Sequence, residues 1–175
     1  MLNVAMLSGW HVHAEGYARE LEAMDNVKVT TIWDEDKDRG KNWAEKIGAA
    51  FVKDLKQVLT DDNIDGVVVN APTDSHSQIM IRAAEAGKHI FTEKVMALTV
   101  AECEKIRDAV TEAGVKFCIS FPNRTRTSIL FAKKVLDDGL IGDVTLLRIR
   151  NAHNGSIADW LPSHFYNKKQ CGGGA

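Results

Sequence analysis

The sequence predicts an α/β fold built on a parallel sheet with helices on both faces, and three observations predict it. Short apolar runs of strand length alternate with segments whose apolar residues recur every three to four positions, the rhythm of right-handed βαβ units. The run Gly66 to Val69 has no polar alternation, as expected of a strand buried on both faces. Finally, a chain of 175 residues, 45% hydrophobic and 26% charged, can bury roughly 70% of the surface it exposes when unfolded. That suffices for one good core, or for one domain and part of a second, and excludes a disordered chain.

The elements follow in order. Leu2 to Leu7 is an apolar run ending at the turn signal Ser8-Gly9, hence a strand. From Val12 the period changes: Ala14, Tyr17, Ala18 and Leu21 fall on one helical face running to about Met24. Val27 to Trp33 alternates as a strand and is closed by Asp34-Glu35-Asp36, after which Lys37 to Lys46 reads as a helix stopped near Gly48. Phe51-Val52 reads as a short strand, Leu55 to Leu59 as a short helix and Gly66 to Val69 as the next strand. Asp74 is placed to cap a helix whose stripe is Ile79, Met80, Ala83 and Ala84 and whose end is marked by Gly87. His89 to Phe91 is a strand with His89 in a structural role. Thr99 and Glu102 form a capping-box pattern opening a helix that Gly114 stops, and Val115 to Ile119 is the last strand of the series. The pattern then changes. Phe121-Pro122-Asn123 is a connector, Thr125 to Leu136 a helix and Val144 to Arg150 a strand, and Asn151 to Ala175 is mostly loop.

With 22 Lys+Arg against 24 Asp+Glu, and no run of five or six like charges, nothing favours nucleic acid or an anionic membrane as partner. The longest stretch free of charged residues, Met1 to Ala14, is shorter than the ~18 apolar residues of a membrane span. It also lacks the basic start of a signal peptide. A cytoplasmic protein with a small ligand is expected. Cys103, Cys118 and Cys171 are odd in number and lack C-x-x-C spacing, which argues against a disulfide framework or a zinc site. No metal is expected, and the first two thiols are expected in a core.

In an open parallel sheet, ligands sit beyond the carboxyl ends of the strands, where strand order reverses. After the first strand come Ser8, Gly9, Trp10, His11 and Val12, a turn opening a helix whose N–H groups suit a pyrophosphate. The strict G-x-G-x-x-G fingerprint is absent, so an ordinary turn without a ligand stays open. Asp34, about 25 residues beyond Gly9, is near the spacing at which a carboxylate accepts from an adenosine ribose diol, favouring NAD; capping the next helix is its plainer role. Lys37 and Arg39 keep NADP open. Asn70, Ala71, Pro72 and Thr73 join an amide, a rigid turn and a hydroxyl at a strand end, with His76 one helical turn on. Glu93 and Lys94 deliver a carboxylate and an ammonium side by side at the same edge. There the lysine could hydrogen-bond a substrate hydroxyl and stabilise charge developing on its oxygen; a surface ion pair is the alternative.

Together the stretches VHAEGYA (12–18), DGVVVNAPTDSHSQIMIRAAEAGKHIFTEKVMALT (65–99), GLIGDV (139–144) and the terminal GGGA resemble the Gfo/Idh/MocA family of NAD(P)-dependent oxidoreductases. The resemblance implies a Rossmann-type doubly wound sheet over residues 1–120. It also implies, over 121–175, the incomplete start of an α+β domain for substrate and oligomerisation. It further implies hydride transfer between NAD, or NADP, and a sugar- or polyol-like hydroxyl or carbonyl, usually in a homo-oligomer. The family's E-K-P motif matches Glu93-Lys94-Val95, giving Lys94 the catalytic role and Glu93 a place beside the cofactor, with Val95 replacing the proline. Gly9 matches the phosphate loop, and Asn70, Pro72, Thr73 and His76 the nicotinamide side. Asn123 and Arg124 would approach the cleft.

In the family the terminal glycine run opens a helix bearing an Asp and a His used in proton transfer. Neither occurs before Ala175, so a fragment with weak dinucleotide binding and little turnover is expected. The rival readings are a non-catalytic nucleotide-binding or interaction module and an NAD-dependent glycoside hydrolase of the same family. His153, Trp160, His164 and Tyr166 are expected to be exposed or disordered, and Leu146, Leu147 and Ile149 to favour self-association.

Overall fold

A computed structural model describes residues 1–173, which divide into two compact units: Met1–Ile119 together with the chain from Ser163 onward, and Ser120–Pro162. The first unit holds six parallel strands, β1 (Leu2–Leu7), β2 (Val27–Trp33), β3 (Ala50–Phe51), β4 (Gly66–Val69), β5 (His89–Thr92) and β6 (Phe117–Ile119), in the order β3-β2-β1-β4-β5-β6. Strand order reverses between β1 and β4, where the crossovers leave toward opposite edges and open a crevice at the carboxyl ends.

The helices of this unit are α1 (Ala14–Glu22), α2 (Lys37–Ile47), α3 (Leu55–Leu59), α4 (Thr73–Glu85), α5 (Val100–Ala113) and α7 (Lys168–Cys171). The two-residue strand period sends alternate side chains into two cores. Ala5, Leu7, Val67, Val69 and Ile90 meet Leu55, Val58, Ile79, Met80, Ala83 and Ile106 on one face. Met6 and Val68 meet Ala14, Ala18, Trp43 and Ala44 on the other. Each fully buried Val, Leu or Ile contributes about 1.5–3 kcal/mol, which is why the uninterrupted Val67-Val68-Val69 run works as a central strand.

Local signals set the helix ends. Asp36 caps α2 by accepting from the amides of Asp38 and Arg39, and Asp54 caps α3. Thr99 and Glu102 close the capping box of α5 in both directions. Asp74 is not a cap: α4 starts one residue before it, at Thr73, behind Pro72, and has no side-chain cap. The fixed φ of Pro72 and its missing N–H suit a helix entry, which leaves Asp74 in the first turn. Cys118 is exposed rather than packed in a core, because β6 is the edge strand and turns that side chain outward; Cys103 is half-buried.

The second unit contains a 3₁₀ turn (Pro122–Thr125) and helix α6 (Thr127–Asp137). The strand expected from Val144 to Arg150 is absent. A β-rich segment keeps that conformation only when a neighbour pairs its backbone, and every strand among the described residues belongs to the six-stranded sheet. Leu146, Leu147 and Ile149 are exposed to solvent there, but not on a sheet edge.

Candidate functional site

The loop after β1 is bound into its surroundings at almost every amide. Ser8 takes a left-handed backbone (φ 74°), a conformation that costs a non-glycine residue about 1–3 kcal/mol and collects at functional turns. The Gly9 amide donates to Asp34 Oδ2 (2.8 Å), Trp10 to Ser8 Oγ (3.0 Å), and His11 to the Asn70 carbonyl (3.1 Å). His13 donates to His11 Nδ1 (3.2 Å) and Ala14 to the His11 carbonyl (3.0 Å). The loop therefore offers an anion fewer open amides than the sequence suggests. A Cβ at position 9 would lie 3.2 Å from the Trp43 ring, a tight contact that favours glycine there.

Trp10 and His11 point inward rather than crowding an open loop. The Trp10 ring stacks on Phe165 (centroids 4.7 Å apart, 28° between planes) and lies 4.6 Å from His164, while Phe165 meets His11 edge-on. His164 is accordingly half-buried, against the expectation of exposure; the 3₁₀ turn Ser163–Tyr166 brings it back to the first unit. His153, Trp160 and Tyr166 are exposed as expected. Val12 is partly exposed at the turn into α1.

Asp34 follows β2 and is buried. Its Oδ1 accepts from Arg39 Nη2 (2.6 Å) and the Asp36 amide (2.8 Å), and its Oδ2 from Arg39 Nε (2.9 Å) and the Gly9 amide. Both oxygens are thus occupied from within the chain. Arg39 also reaches Glu35 (2.6 Å). Burial pushes the Glu35 carboxyl above the usual range, although a hydrogen bond with Ser8 and the nearby Arg39 oppose it. Arg39, which the sequence offered only as a neighbour, is the partner that fixes Asp34.

At the end of β4, Asn70, Ala71, Pro72 and Thr73 are all buried. Among the described residues Asn70 Oδ1 has no hydrogen-bond partner, an uncommon state for a buried acceptor. His76 places Nε2 2.9 Å from the Ala71 carbonyl and Nδ1 3.0 Å from the Val95 carbonyl, so it ties the β4 turn to the turn carrying Lys94. Burial lowers its pKa even though three carbonyls, those of Ala71, Val95 and Met96, favour the charged ring.

After β5, the Glu93 amide donates to the Val69 carbonyl (3.0 Å). The Glu93 carboxylate, 1% exposed, receives the Tyr17 hydroxyl and approaches His13 Nδ1 (2.6 Å) through Oε1, while the Lys94 amide donates to Oε2 (2.9 Å). Burial pushes this carboxyl up, but the Tyr17 hydroxyl, His11, His13 and the Lys94 amide together hold it below the usual range. Burial drives His11 down to about 4, outweighing the Glu93 charge 3.6 Å away. The Lys94 side chain is exposed at this edge and has no hydrogen bond or ion pair among the described residues.

The structure therefore gathers Ser8, Gly9, Trp10, His11, Asp34, Asn70, Pro72, His76, Glu93 and Lys94 at the carboxyl ends of β2, β1, β4 and β5. Asn123 and Arg124 lie in the 3₁₀ turn of the second unit, where both are exposed. Sequence reasoning missed His13 and Tyr17. The available signals were a second histidine two residues after His11 and a hydroxyl on the stripe of α1.

The family model described as an oxidoreductase family with an NAD-binding Rossmann fold, Gfo/Idh/MocA, matches residues 4–121. The chain belongs to this family. An uncharacterized oxidoreductase of Streptococcus pneumoniae is 32% identical over 138 residues, which is 79% of this chain and 36% of the relative. The myo-inositol 2-dehydrogenase of Thermotoga maritima is 31% identical over 134 residues, 76% of this chain and 40% of the relative. Among solved structures, a probable dehydrogenase from Thermotoga maritima superposes with a TM-score of 0.72 at 27% identity, over 81% of this chain and 42% of that one. A 3-ketoreductase from Actinomadura kijaniata, solved with NADP and TDP-benzene, gives 0.71 at 27% identity, over 81% and 44%. The chain thus spans about two fifths of the length of these relatives.

Proposed function

We propose that this chain is the dinucleotide-binding part of an NAD(P)-dependent oxidoreductase that moves hydride to or from a carbon bearing a sugar- or polyol-like hydroxyl. The observation that carries the reading is the convergence just described: loops after four different strands meet where strand order reverses, and they bring Asp34, Asn70 and Lys94 to one edge. The buried Asn70 Oδ1, without a partner among the described residues, supports a dinucleotide there, since it would accept from a ribose hydroxyl or a carboxamide.

When bound, the dinucleotide would supply the hydride acceptor or donor. Lys94 would donate a hydrogen bond to the substrate oxygen and stabilise charge developing on it. Glu93 would fix the turn that presents Lys94, through its bond with the Lys94 amide. Asn70 and Thr73 would orient the ligand at the β4 end, which favours reaction by removing misaligned encounters. Arg39 covers both oxygens of Asp34 and is itself partly exposed, an arrangement that supports NADP beside NAD. Soluble sugars or polyols are the partners. Homo-oligomer formation through exposed Leu146, Leu147 and Ile149 belongs to the same proposal, as does a cytoplasmic setting, supported by three free thiols.

Titrating the 175-residue chain with NADH and with NADPH, following protein fluorescence, tests the reading. Saturable binding of at least one, weakened in Asn70→Leu, is expected, with little NADH formed from NAD and a panel of polyols. Absence of saturation by either dinucleotide at millimolar concentration overturns it.

A further inference from the structure

Among the described residues, one group of histidine, cysteine and carboxylate side chains brings three donor atoms within 4.8 Å of one another: His11, His13 and Glu93. Nothing in the dinucleotide reading uses them as a set. His11 and His13 lie in the loop after β1, and Glu93 follows β5, eighty residues beyond His13 in sequence. His13 Nδ1 stands 2.6 Å and His11 Nδ1 3.6 Å from Glu93 Oε1. We propose that His11, His13 and Glu93 form a binding site for a divalent transition metal of the zinc class.

The donor set is that of a metal bound by nitrogen and oxygen: two neutral imidazoles and one carboxylate, with a fourth position left for water. At metal–ligand lengths of about 2.0–2.2 Å, neighbouring donors in a tetrahedral site lie roughly 3.3 Å apart. The His11–Glu93 spacing is already near that value. The His13–Glu93 pair must open by about 0.7 Å from its hydrogen-bonded distance, and His13, 52% exposed, has room to turn. His11 and Glu93, at 5% and 1% exposure, are held in place. The Tyr17 hydroxyl and the Lys94 amide already orient the carboxylate, the kind of outer support that ligating carboxylates have. On binding, His11 Nδ1 would give up the hydrogen bond it accepts from the His13 amide, or ligate through its other nitrogen. The histidine spacing alone did not announce the site, because its third ligand is remote in sequence.

The experiment needs no dinucleotide, so its outcome is independent of the oxidoreductase reading. The chain is stripped with chelator and titrated with Zn²⁺ by calorimetry, and with Co²⁺ by visible absorption. One equivalent per chain is expected, with a Co²⁺ spectrum of nitrogen and oxygen ligation and no thiolate charge-transfer band. His13→Ala, which removes a half-exposed side chain, should weaken binding at least about tenfold; His89→Ala, at an exposed strand position, should leave it unchanged. X-ray absorption of the Zn²⁺-loaded parent should show imidazole scattering and no sulfur, a result that does not depend on how a variant folds. Substoichiometric binding, equal affinity in His13→Ala and the parent, or sulfur in the first shell overturns the proposal.

Discussion

Two glycine-to-alanine changes in neighbouring helices should move stability in opposite directions. In a helix interior, alanine is favoured over glycine by about 0.5–1 kcal/mol. At Gly16 in α1, a Cβ would meet nothing within 4 Å, so that gain should appear in full. At Gly40 in α2, the same Cβ would lie 2.5 Å from Phe51 Cε2 and 2.6 Å from Asp34 Cβ. Carbon pairs rest at about 3.5–4.0 Å, so two contacts are compressed by roughly 1 Å each. The Phe51 ring can swing, being half-buried at the sheet edge. Asp34 cannot, because its carboxylate is held by Arg39 and two amides. Overpacking of this kind costs about 1–3 kcal/mol, which offsets the helical gain and leaves Gly40→Ala net destabilised by up to about 2.5 kcal/mol. Urea unfolding followed by circular dichroism checks this: the midpoint should rise for Gly16→Ala and fall for Gly40→Ala at constant slope. Thermal midpoints should separate by several degrees, at roughly 2–8 °C per kcal/mol. A Gly40→Ala protein as stable as Gly16→Ala would refute the close packing of α2 on Asp34.

Three further outcomes are expected. Lys88 is buried with Nζ donating to the carbonyls of Asp61 (2.7 Å) and Ile64 (2.8 Å); Lys88→Met strands both acceptors and should cost about 1–3 kcal/mol in urea unfolding. Arg39→Ala leaves the Asp34 carboxylate with amide donors alone. Its cost should reach about 1–3 kcal/mol, less than for a fully buried pair because the arginine is partly exposed, and stability curves of the two proteins measure it. Burial holds His76 below the ordinary imidazole value of about 6.5. The unfolded chain therefore takes up a proton first, and stability should decline as pH falls below that value toward the folded-state pKa. The urea midpoint measured from pH 8 to pH 5 should fall less steeply in His76→Gln.

Much of the first unit was legible because its signals are local or periodic. The Val67-Val68-Val69 run and the Thr99–Glu102 box act within a few residues, and the structure keeps both, whereas the cap of α2 falls on Asp36 and not on Asp34. The site was legible as a set of strand ends, since a parallel sheet collects the loops after its strands at one edge. Its internal wiring was not. Which donor reaches Asp34, and that His13 and Tyr17 meet Glu93, depends on side chains meeting across large sequence separations. The failed strand at Val144–Arg150 carries the same lesson. β propensity states a preference that only a pairing partner makes real, and composition cannot say whether one is present.

The first unit is discontinuous in sequence: Phe165, which roofs Trp10, is encoded after the whole of Ser120–Pro162. During synthesis at about 5–20 residues per second, the sheet can assemble seconds before the loop after β1 receives that cover. For that interval the nascent chain presents an uncovered indole, and closure of this edge becomes a late event of biogenesis.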